Sequence, residues 1–431
     1  MRERIINLLI FSTVFISSYI FFKQPFEGYI TYIVLALFLP VFLVKFGIPR
    51  LPLLVFAPLF ISGIFLVQTG VNTSPLFTKI FIGFFSSTLF YYYVVQLYDF
   101  DVKRIFALYM KGAFIVSLIG IIQLVSWRVG FGPGYDFSWI LNKWGFQQGG
   151  LGIRMNSVFS EPSYFAAVIA PAFFMSVYRM ISNPFKLRSR WQDLLIIVAY
   201  FLTFSSLGIL GMFLTVLLLL LNFGLFRYAI IFVPLAVFGF KYAYENIPEF
   251  RERYDGTIEV FLKQNIRDYD VHGSSFVLYN NYHIATENFK RHPIFGTGLG
   301  SHPVAFEKYT LTNLDKNVVQ ITFNKADANS MALRLMSETG LYGLVFMLVF
   351  LIRNWVFRQR SADKEHWVIS NALVLIIVLY LARQGHYFLN GFPLFLWMFY
   401  FNWKSNRAAH LANAQEPVTN ESTSQPALSG S

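Results

Sequence analysis

The sequence predicts an all-α membrane protein with about twelve spanning helices. Of its 431 residues, 55% are hydrophobic and 19% are aromatic, whereas only 13% are charged. A soluble chain of this length would need a larger polar fraction to cover its surface. Apolar stretches of about 18–22 residues recur along the chain, and each is long enough to cross a ~30 Å hydrocarbon core as a helix.

Twelve segments carry this prediction. The first segment resembles the apolar part of a signal peptide, but it is long, lacks a small-residue cleavage site and leads directly into a second span, so we expect it to be retained. Small residues at 203–208 indicate a turn or break within a longer apolar region. The predicted spans are 5–22, 28–46, 51–68, 76–96, 105–127, 162–180, 192–206, 207–223, 226–244, 329–352, 367–384 and 391–403.

The placement of Lys and Arg predicts that both termini are cytoplasmic. Short cytoplasmic loops of membrane proteins carry an excess of these residues. Here they concentrate in alternate connections and next to the two termini. The residues concerned are Arg2, Arg4, Lys45, Arg50, Lys103, Arg104, Arg179, Lys186, Arg188, Arg190, Arg227, Arg353, Arg358, Arg360, Lys364, Lys404 and Arg407.

Two long segments, 128–161 and 245–328, are predicted to be loops on the opposite side of the membrane. Together with the spans they form one transmembrane domain, residues 1–404. Residues 405–431 are rich in Ser, Thr, Asn, Gln and Pro, which predicts a disordered cytoplasmic tail.

The overall charge and the absence of cysteine exclude some classes of function. The net charge of +12 arises mainly in short connections, and the acidic and basic residues of 245–328 nearly balance. This pattern argues against nucleic-acid binding. Without cysteine, no disulfide framework, thiolate metal site or cysteine nucleophile is possible.

The stretch RMNSVFSEPSYFAA, residues 154–167, places two charged side chains where a polar loop meets a span. Ser160 can cap the following helix, while Glu161 and Pro162 suit its first turn. This structural explanation covers Glu161 but leaves Arg154 unexplained.

Two further motifs lie around the second loop. In HPIFGTGLGS, residues 292–301, glycines alternate, which suits a sharp turn or close approach of the backbone to another group. In DANSMALRLMSETGLYGLVF, residues 327–346, Arg334 and Glu338 have the spacing of one helical turn and could pair with each other. Ionisable groups in a span also mark functional sites.

In this order, the three motifs resemble those of the O-antigen polymerase/ligase family of bacterial envelope glycosyltransferases. The counterparts of the family's motifs are Arg154–Phe165, Pro293–Gly300 and Asn329–Gly343. The resemblance covers roughly residues 100–350. It implies a GT-C-like membrane fold, a periplasmic site and a location in the bacterial inner membrane.

Departures from the family's pattern favour a Wzy-type repeat-unit polymerase over an O-antigen ligase. Asn329 stands where the ligases carry a functional histidine, and the SEPSYFA form of 160–166 is similar to the polymerases. The family's arginine ahead of the glycine turn is replaced here by Leu278. We therefore expect the catalytic scheme of the family to transfer only in part.

The resemblance implies an undecaprenyl-diphosphate-linked oligosaccharide as substrate, with no metal or nucleotide cofactor, and suggests a chain-length-regulating co-polymerase as partner. Cations would bind the diphosphate, and a carboxylate or imidazole would accept the proton of the attacking hydroxyl. Glu161, Arg154, Asp327 and His283 are the predicted catalytic residues, and other outer-loop histidines, including His302 and His386, are further candidate bases. The predicted substrate-binding residues are Arg383, Arg334, Arg291, Asn329, Gly296 and Gly298.

Three alternatives remain open at this stage. A ligase would transfer a finished glycan to lipid A core or to protein. A lipid-linked sugar flippase or transporter would place charges deep in several spans, whereas most charges here lie in loops. A cell-wall glycan polymerase of the shape-elongation type uses the same lipid carrier but fits the motifs less well.

Overall fold

The computed structural model describes residues 2–22, 27–149, 152–182, 190–224, 229–246, 248–262, 273–311 and 323–415. These residues are mainly helical, and strand β1 (Gln148–Gly149) pairs antiparallel with strand β2 (Gly152–Ile153). The helices are α1 Arg2–Phe15, α2 Ile30–Phe46, α3 Arg50–Gln68, α4 Ser74–Leu97, α5 Val102–Arg128, α6 Gly132–Tyr135, α7 Pro162–Ser182, α8 Trp191–Phe201, α9 Ser206–Phe223, α10 Ala229–Asn246, α11 Pro248–Phe261, α12 Gly273–Arg291, α13 His302–Tyr309, α14 Met331–Glu338, α15 Gly340–Asn354, α16 Lys364–Arg383 and α17 Phe392–Gln415.

Six helices of the described chain are long and apolar enough to cross a membrane: α3, α4, α5, α7, α9 and α16. Four shorter apolar helices accompany them: α1, α2, α8 and α15. The chain is therefore an all-α membrane protein, as the sequence predicts. Helices α10 and α17, which coincide with two more of the predicted spans, fall in neither group.

The bundle has an internal helix and a periphery. In α16, 78% of the most apolar stretch is buried, whereas in α3 the corresponding share is 17%. On the outside of the bundle, the large apolar side chains of Val44 on α2 and Leu54 on α3 have more than half of their surface exposed. An exposed surface of this kind suits a hydrocarbon environment.

The chain between 5 and 22 differs from its prediction. Helix α1 ends at Phe15, and the following residues are irregular up to a bridge between Ile20 and Tyr29. Tertiary bonds replace the helical ones: the Ser18 hydroxyl donates to the carbonyl of Val158, and Asn142 accepts from the backbone N–H of Ile20 at 2.9 Å. The predicted span is thus shortened by contacts with the 128–161 loop.

The C-terminal region also differs from its prediction. Helix α17 continues to Gln415 through residues expected to be disordered, and the remainder of the predicted tail lies outside the described residues. Asn406 Nδ2 donates to the carbonyl of Arg360 at 3.1 Å, and His410 Nε2 lies 2.8 Å from the same oxygen. These contacts hold the helix against the connection between α15 and α16.

The two ends of the bundle differ in character. One end, which we term the basic end, contains the Arg360 contacts and the ion pair of Lys103 with Asp363, whose Nζ and Oδ2 are 2.5 Å apart. At the other end, which we term the cavity end, helices α7, α9, α12 and α14 begin and α16 finishes.

Candidate functional site

A polar cavity of about 430 Å³ opens at the cavity end. Its lining includes five predicted site residues from distant parts of the chain. They are Arg154, Glu161, Asp327, Asn329 and Arg383. The cavity therefore brings together two guanidinium groups and two carboxyl groups.

The starts of three long helices also line this cavity. Pro162 begins α7, Ser205 caps α9, and Ser274 lies in the first turn of α12. Free backbone N–H groups and the helix dipole make such helix starts electropositive. Along with the two arginines, they create surroundings that suit an anionic ligand.

The paired strands β1 and β2 position Arg154. The backbone N–H of Arg154 donates to the backbone carbonyl of Gln147 at 3.0 Å. The Nη1 of Arg154 donates to the side-chain Oε1 of Gln147, also at 3.0 Å. Strand β2 ends next to Arg154, and the two bonds to Gln147 orient the guanidinium. Such pre-orientation reduces the entropy lost when an arginine binds a ligand.

Arg383 reaches the cavity from the last turn of α16. Its Nη2 donates to the hydroxyl of Ser274 at 2.7 Å, which connects α16 to α12. Arg383 is thus part of the cavity lining.

Glu161 directly precedes α7 and remains exposed. Its Oε2 accepts a hydrogen bond from the hydroxyl of Ser163 at 3.1 Å. The carboxylate is thus placed at the mouth of the cavity, where it can meet a ligand that enters from solvent.

Asp327 is a buried carboxylate in the same lining. Its Oδ2 lies 2.9 Å from Nε2 of His386, and its Oδ1 accepts from the backbone N–H of Asn329 at 3.0 Å. Burial alone would raise the pKa of Asp327, but His386 and the Asn329 N–H outweigh this effect and hold the pKa well below its usual range. Asp327 is therefore ionised at neutral pH.

Sequence reasoning named His386 as one of several outer-loop histidines but did not pair it with Asp327. The pairing depends on close packing at Gly385, where an added Cβ would lie 1.5 Å from the carbonyl oxygen of Asp327. The His386 ring also lies near Tyr164, a residue of the cavity lining, with 6.3 Å between ring centroids. No local sequence pattern indicates this contact.

Arg334 and Glu338 lie behind the cavity. They form a buried ion pair with 2.9 Å between Nε and Oε1, as their spacing suggested. Arg334 Nη1 donates to the carbonyl of Gly385 at 2.9 Å, and the Tyr387 hydroxyl donates to Glu338 Oε2 at 2.9 Å. Arg334 thus supports the segment that carries His386, rather than lining the cavity.

The glycine turn supports the break between α14 and α15. The N–H of Gly298 donates to the carbonyl of Glu338 at 2.7 Å, and the carbonyl of Pro293 accepts from the N–H of Leu341 at 2.8 Å. These bonds satisfy backbone groups that the break leaves without helical partners. A Cβ on Gly296 would lie 2.5 Å from the carbonyl carbon of Glu338. Gly296 therefore packs on the Glu338 backbone, Gly298 bonds to it through its N–H, and neither glycine is part of the cavity lining.

The other predicted residues lie elsewhere. His283 is half-buried on α12, and the Arg291 guanidinium lies 4.9 Å from the ring centroid of Tyr309; neither residue lines the cavity. His302 is buried, with Nε2 2.9 Å from Oδ1 of Asn281. Burial lowers the pKa of His302 to about 3, so this imidazole is neutral.

Within the described residues, no group of three or more His, Asp or Glu side chains could hold a metal ion. The fold is that of an all-α membrane protein, and the cavity at one end of its bundle is lined by two arginines and two carboxyl groups. No protein-family model matches the chain, and no curated protein matches it significantly.

Proposed function

We propose that this protein is a membrane glycosyltransferase that polymerises undecaprenyl-diphosphate-linked oligosaccharide repeat units. The product would be an O-antigen, a capsular polysaccharide or an exopolysaccharide. The observation that supports this proposal best is the presence of Arg154, Arg383 and Glu161 around one cavity. The motif order described above supplies the substrate class.

The two arginines would bind the diphosphate of the donor. During transfer, the bond between the anomeric carbon and the diphosphate oxygen breaks, and both electrons of that bond remain on the leaving diphosphate. Guanidinium groups stabilise this growing charge because they remain protonated and bind phosphate oxygens bidentately. The helix starts at Pro162, Ser205 and Ser274 add favourable partial charge.

A carboxylate would serve the acceptor. A sugar hydroxyl of the next repeat unit attacks the anomeric carbon, and its proton passes to Glu161, which is exposed at the cavity mouth. The His386 imidazole, oriented by the ionised carboxylate of Asp327, is a second candidate acceptor for this proton. The donor supplies the free energy of the reaction, so the scheme requires neither nucleotide nor metal.

In the proposed topology, twelve spans cross the bacterial inner membrane, both termini are cytoplasmic, and the cavity faces the periplasm. The location of the basic connections supports this orientation, because Lys103 and Arg360 lie at the end opposite the cavity. The substrate would then enter the cavity from the outer leaflet. A chain-length-regulating co-polymerase is the proposed protein partner.

Asn329 favours a polymerase over a ligase within this proposal. It lies in the cavity lining at the position where the ligases carry their histidine, and its backbone N–H binds Asp327. An amide can orient a hydroxyl by hydrogen bonds but cannot take its proton at neutral pH.

The test is a polymerisation assay with purified protein and an undecaprenyl-diphosphate repeat unit. Glycans would be separated on a gel for wild type and for Arg154→Ala, Arg383→Ala and Glu161→Gln. We expect wild type to give a ladder of multiples, which each variant loses. The matched control is Arg291→Ala, since this residue stacks on Tyr309 outside the cavity and should keep the ladder.

Other outcomes separate the alternatives. A ladder that survives all three cavity variants would support polymerisation but reject this site. Transfer of a preformed glycan to lipid A core or protein, without a ladder, would indicate a ligase. Unchanged substrate that moves across proteoliposome membranes would indicate a flippase or transporter.

A further inference from the structure

A large apolar groove of about 780 Å³ lies between α3, α15 and α17. Its walls are almost entirely hydrocarbon and aromatic, and they include Val55, Phe346, Phe350, Leu396 and Tyr400. It differs from the cavity described above, whose lining is polar. An apolar groove of this size in a membrane protein is filled by hydrocarbon chains, because its walls would otherwise lack contacts on one side.

The groove exists because α15 packs loosely on the rest of the bundle between its two ends. Gly340 and Gly343 at its start and Asn354 at its finish are the buried residues of this helix. Between them, large apolar side chains such as Val349 are about half exposed. Phe350 is only partly buried, and its ring centroid lies 5.8 Å from that of Phe399 on α17, so the two helices touch there without filling the groove between them.

Three cationic residues lie where the groove reaches the basic end. They are Arg353, Lys404 and Arg407. The guanidinium groups of Arg353 and Arg407 lie 5.7 and 5.8 Å from the ring centroid of the same residue, Trp403. No carboxylate of the described chain lines the groove or forms an ion pair with these cations. This end of the groove thus carries positive charge without an acidic counterpart.

We propose that the groove binds one anionic phospholipid, with its head group at Arg353, Lys404 and Arg407 and an acyl chain along α15. Basic pockets between membrane helices recognise anionic head groups in this way. Arg353 and Arg407 would contact the phosphate, and Trp403 would lie at the level of the glycerol. This site is independent of the glycan-transfer proposal.

The position of the cations argues against the lipid chain of the proposed donor as occupant. A donor with its diphosphate in the polar cavity has its head group at the cavity end, whereas the groove has its cations at the basic end. The buried pair of Arg334 and Glu338 also lies between the two sites, because Arg334 bonds to Gly385 of the cavity lining and Glu338 bonds to Tyr387 of the groove lining.

The experiment measures which lipid the protein retains. Full-length protein in nanodiscs would receive equal amounts of phosphatidylglycerol and phosphatidylcholine with identical acyl chains. Bound lipid would be identified by native mass spectrometry after release. We expect preferential retention of phosphatidylglycerol in wild type. The combined variant Arg353→Ala, Lys404→Ala and Arg407→Ala should reduce this preference on the order of a hundredfold, since each of the three charges near the surface contributes roughly a factor of five.

The matched control removes the same charge from the same end but away from the groove, by Lys45→Ala, Arg360→Ala and Lys364→Ala. This variant should keep the preference. A second variant, Val349→Trp, fills the groove from a half-exposed position and should reduce retention of both lipids while the head-group cations stay in place.

Two results would overturn the proposal. Equal retention of both phospholipids in wild type would show that the cations select no head group. The second result is that added undecaprenyl phosphate displaces phosphatidylglycerol from wild type but not from Val349→Trp. This result would assign the groove to a polyprenyl chain.

Discussion

Arg334 and Glu338 lie one helical turn apart on α14 and form an ion pair whose side chains are 2% and 0% exposed. Tyr387 and the carbonyl of Gly385 provide further hydrogen bonds to the pair. Both charges are removed from solvent, so each charge is compensated by the opposite charge of its partner. Removal of one partner therefore leaves an uncompensated buried charge.

Glu338→Gln and Arg334→Met should each lower the free energy of unfolding by about 3–5 kcal/mol. Combining Arg334→Met with Glu338→Leu should cost less than either single change, because no charge then stays buried alone. Thermal unfolding in detergent measures this order. Glu287→Gln is the control, since its pair with Lys290 is on the surface and its loss should leave Tm unchanged. A double variant less stable than both singles would contradict the argument.

Gly296→Ala should destabilise the protein more than Gly70→Ala. Both glycines have left-handed backbone, with φ of 61° and 75°, so both substitutions carry the cost of that conformation. At Gly70 an added Cβ meets nothing within 4 Å, whereas at Gly296 it meets the Glu338 backbone at 2.5 Å. The difference in Tm between the two variants isolates the contact. Equal Tm values would show that the glycine turn is not closely packed on the α14–α15 break.

In the proposed glycan transfer, His386→Asn should lower kcat by about 10²–10⁴-fold, because the imidazole paired with Asp327 would take part in proton transfer. The KM for the lipid-linked donor should change little, because the two arginines are untouched. His283→Asn is the matched control, since this half-buried histidine does not line the cavity and should keep the activity. Loss of activity in His283→Asn but not in His386→Asn would return the catalytic role to the residue that the sequence favoured.

Lowering the pH should reduce the free energy of unfolding, because His302 resists protonation in the folded protein. The unfolded histidine binds a proton near its ordinary pKa of about 6.5, whereas the folded one does so only at about 3. The unfolded state therefore binds more protons between these values, and stability falls as pH drops below about 6.5. The loss should reach about 2 kcal/mol at about pH 5.

The measurement compares the acid-induced change in Tm for wild type and His302→Gln. An amide can still donate to Asn281, so the variant should fold while its Tm changes less between about pH 7 and about pH 5. His283→Gln, in the same part of the chain, should keep the wild-type change. An identical acid response in His302→Gln would exclude the buried imidazole as its source.

The helices were largely predictable because apolar length and breaking residues are local properties. The span predicted at 51–68 corresponds to α3, Arg50–Gln68, and the break predicted within 203–208 separates α8 from α9. The ends that differ depend on tertiary contacts instead. Helix α1 ends early because Ser18 binds Val158, a contact that hydropathy does not encode.

For the site, sequence provided the residue types but not all of their relationships. Arg154, Glu161 and Asp327 stand out in the sequence because charged side chains next to an apolar span are costly unless they have a function or a partner, and the structure places all three at one cavity. The pairing of Asp327 with His386 depends on the backbone contact at Gly385, which joins distant segments. No local pattern predicts such a contact.

The mutual bonding between the glycine turn and the α14–α15 break has a consequence for protein engineering. Because Gly298 and Pro293 satisfy backbone groups of Glu338 and Leu341, the turn and the broken helix form one interlocking unit. A chimera that exchanged only the loop, or only the helices, would separate two halves of the same hydrogen-bonding arrangement. Segments 292–301 and 331–354 should therefore be exchanged together between this protein and any homologue.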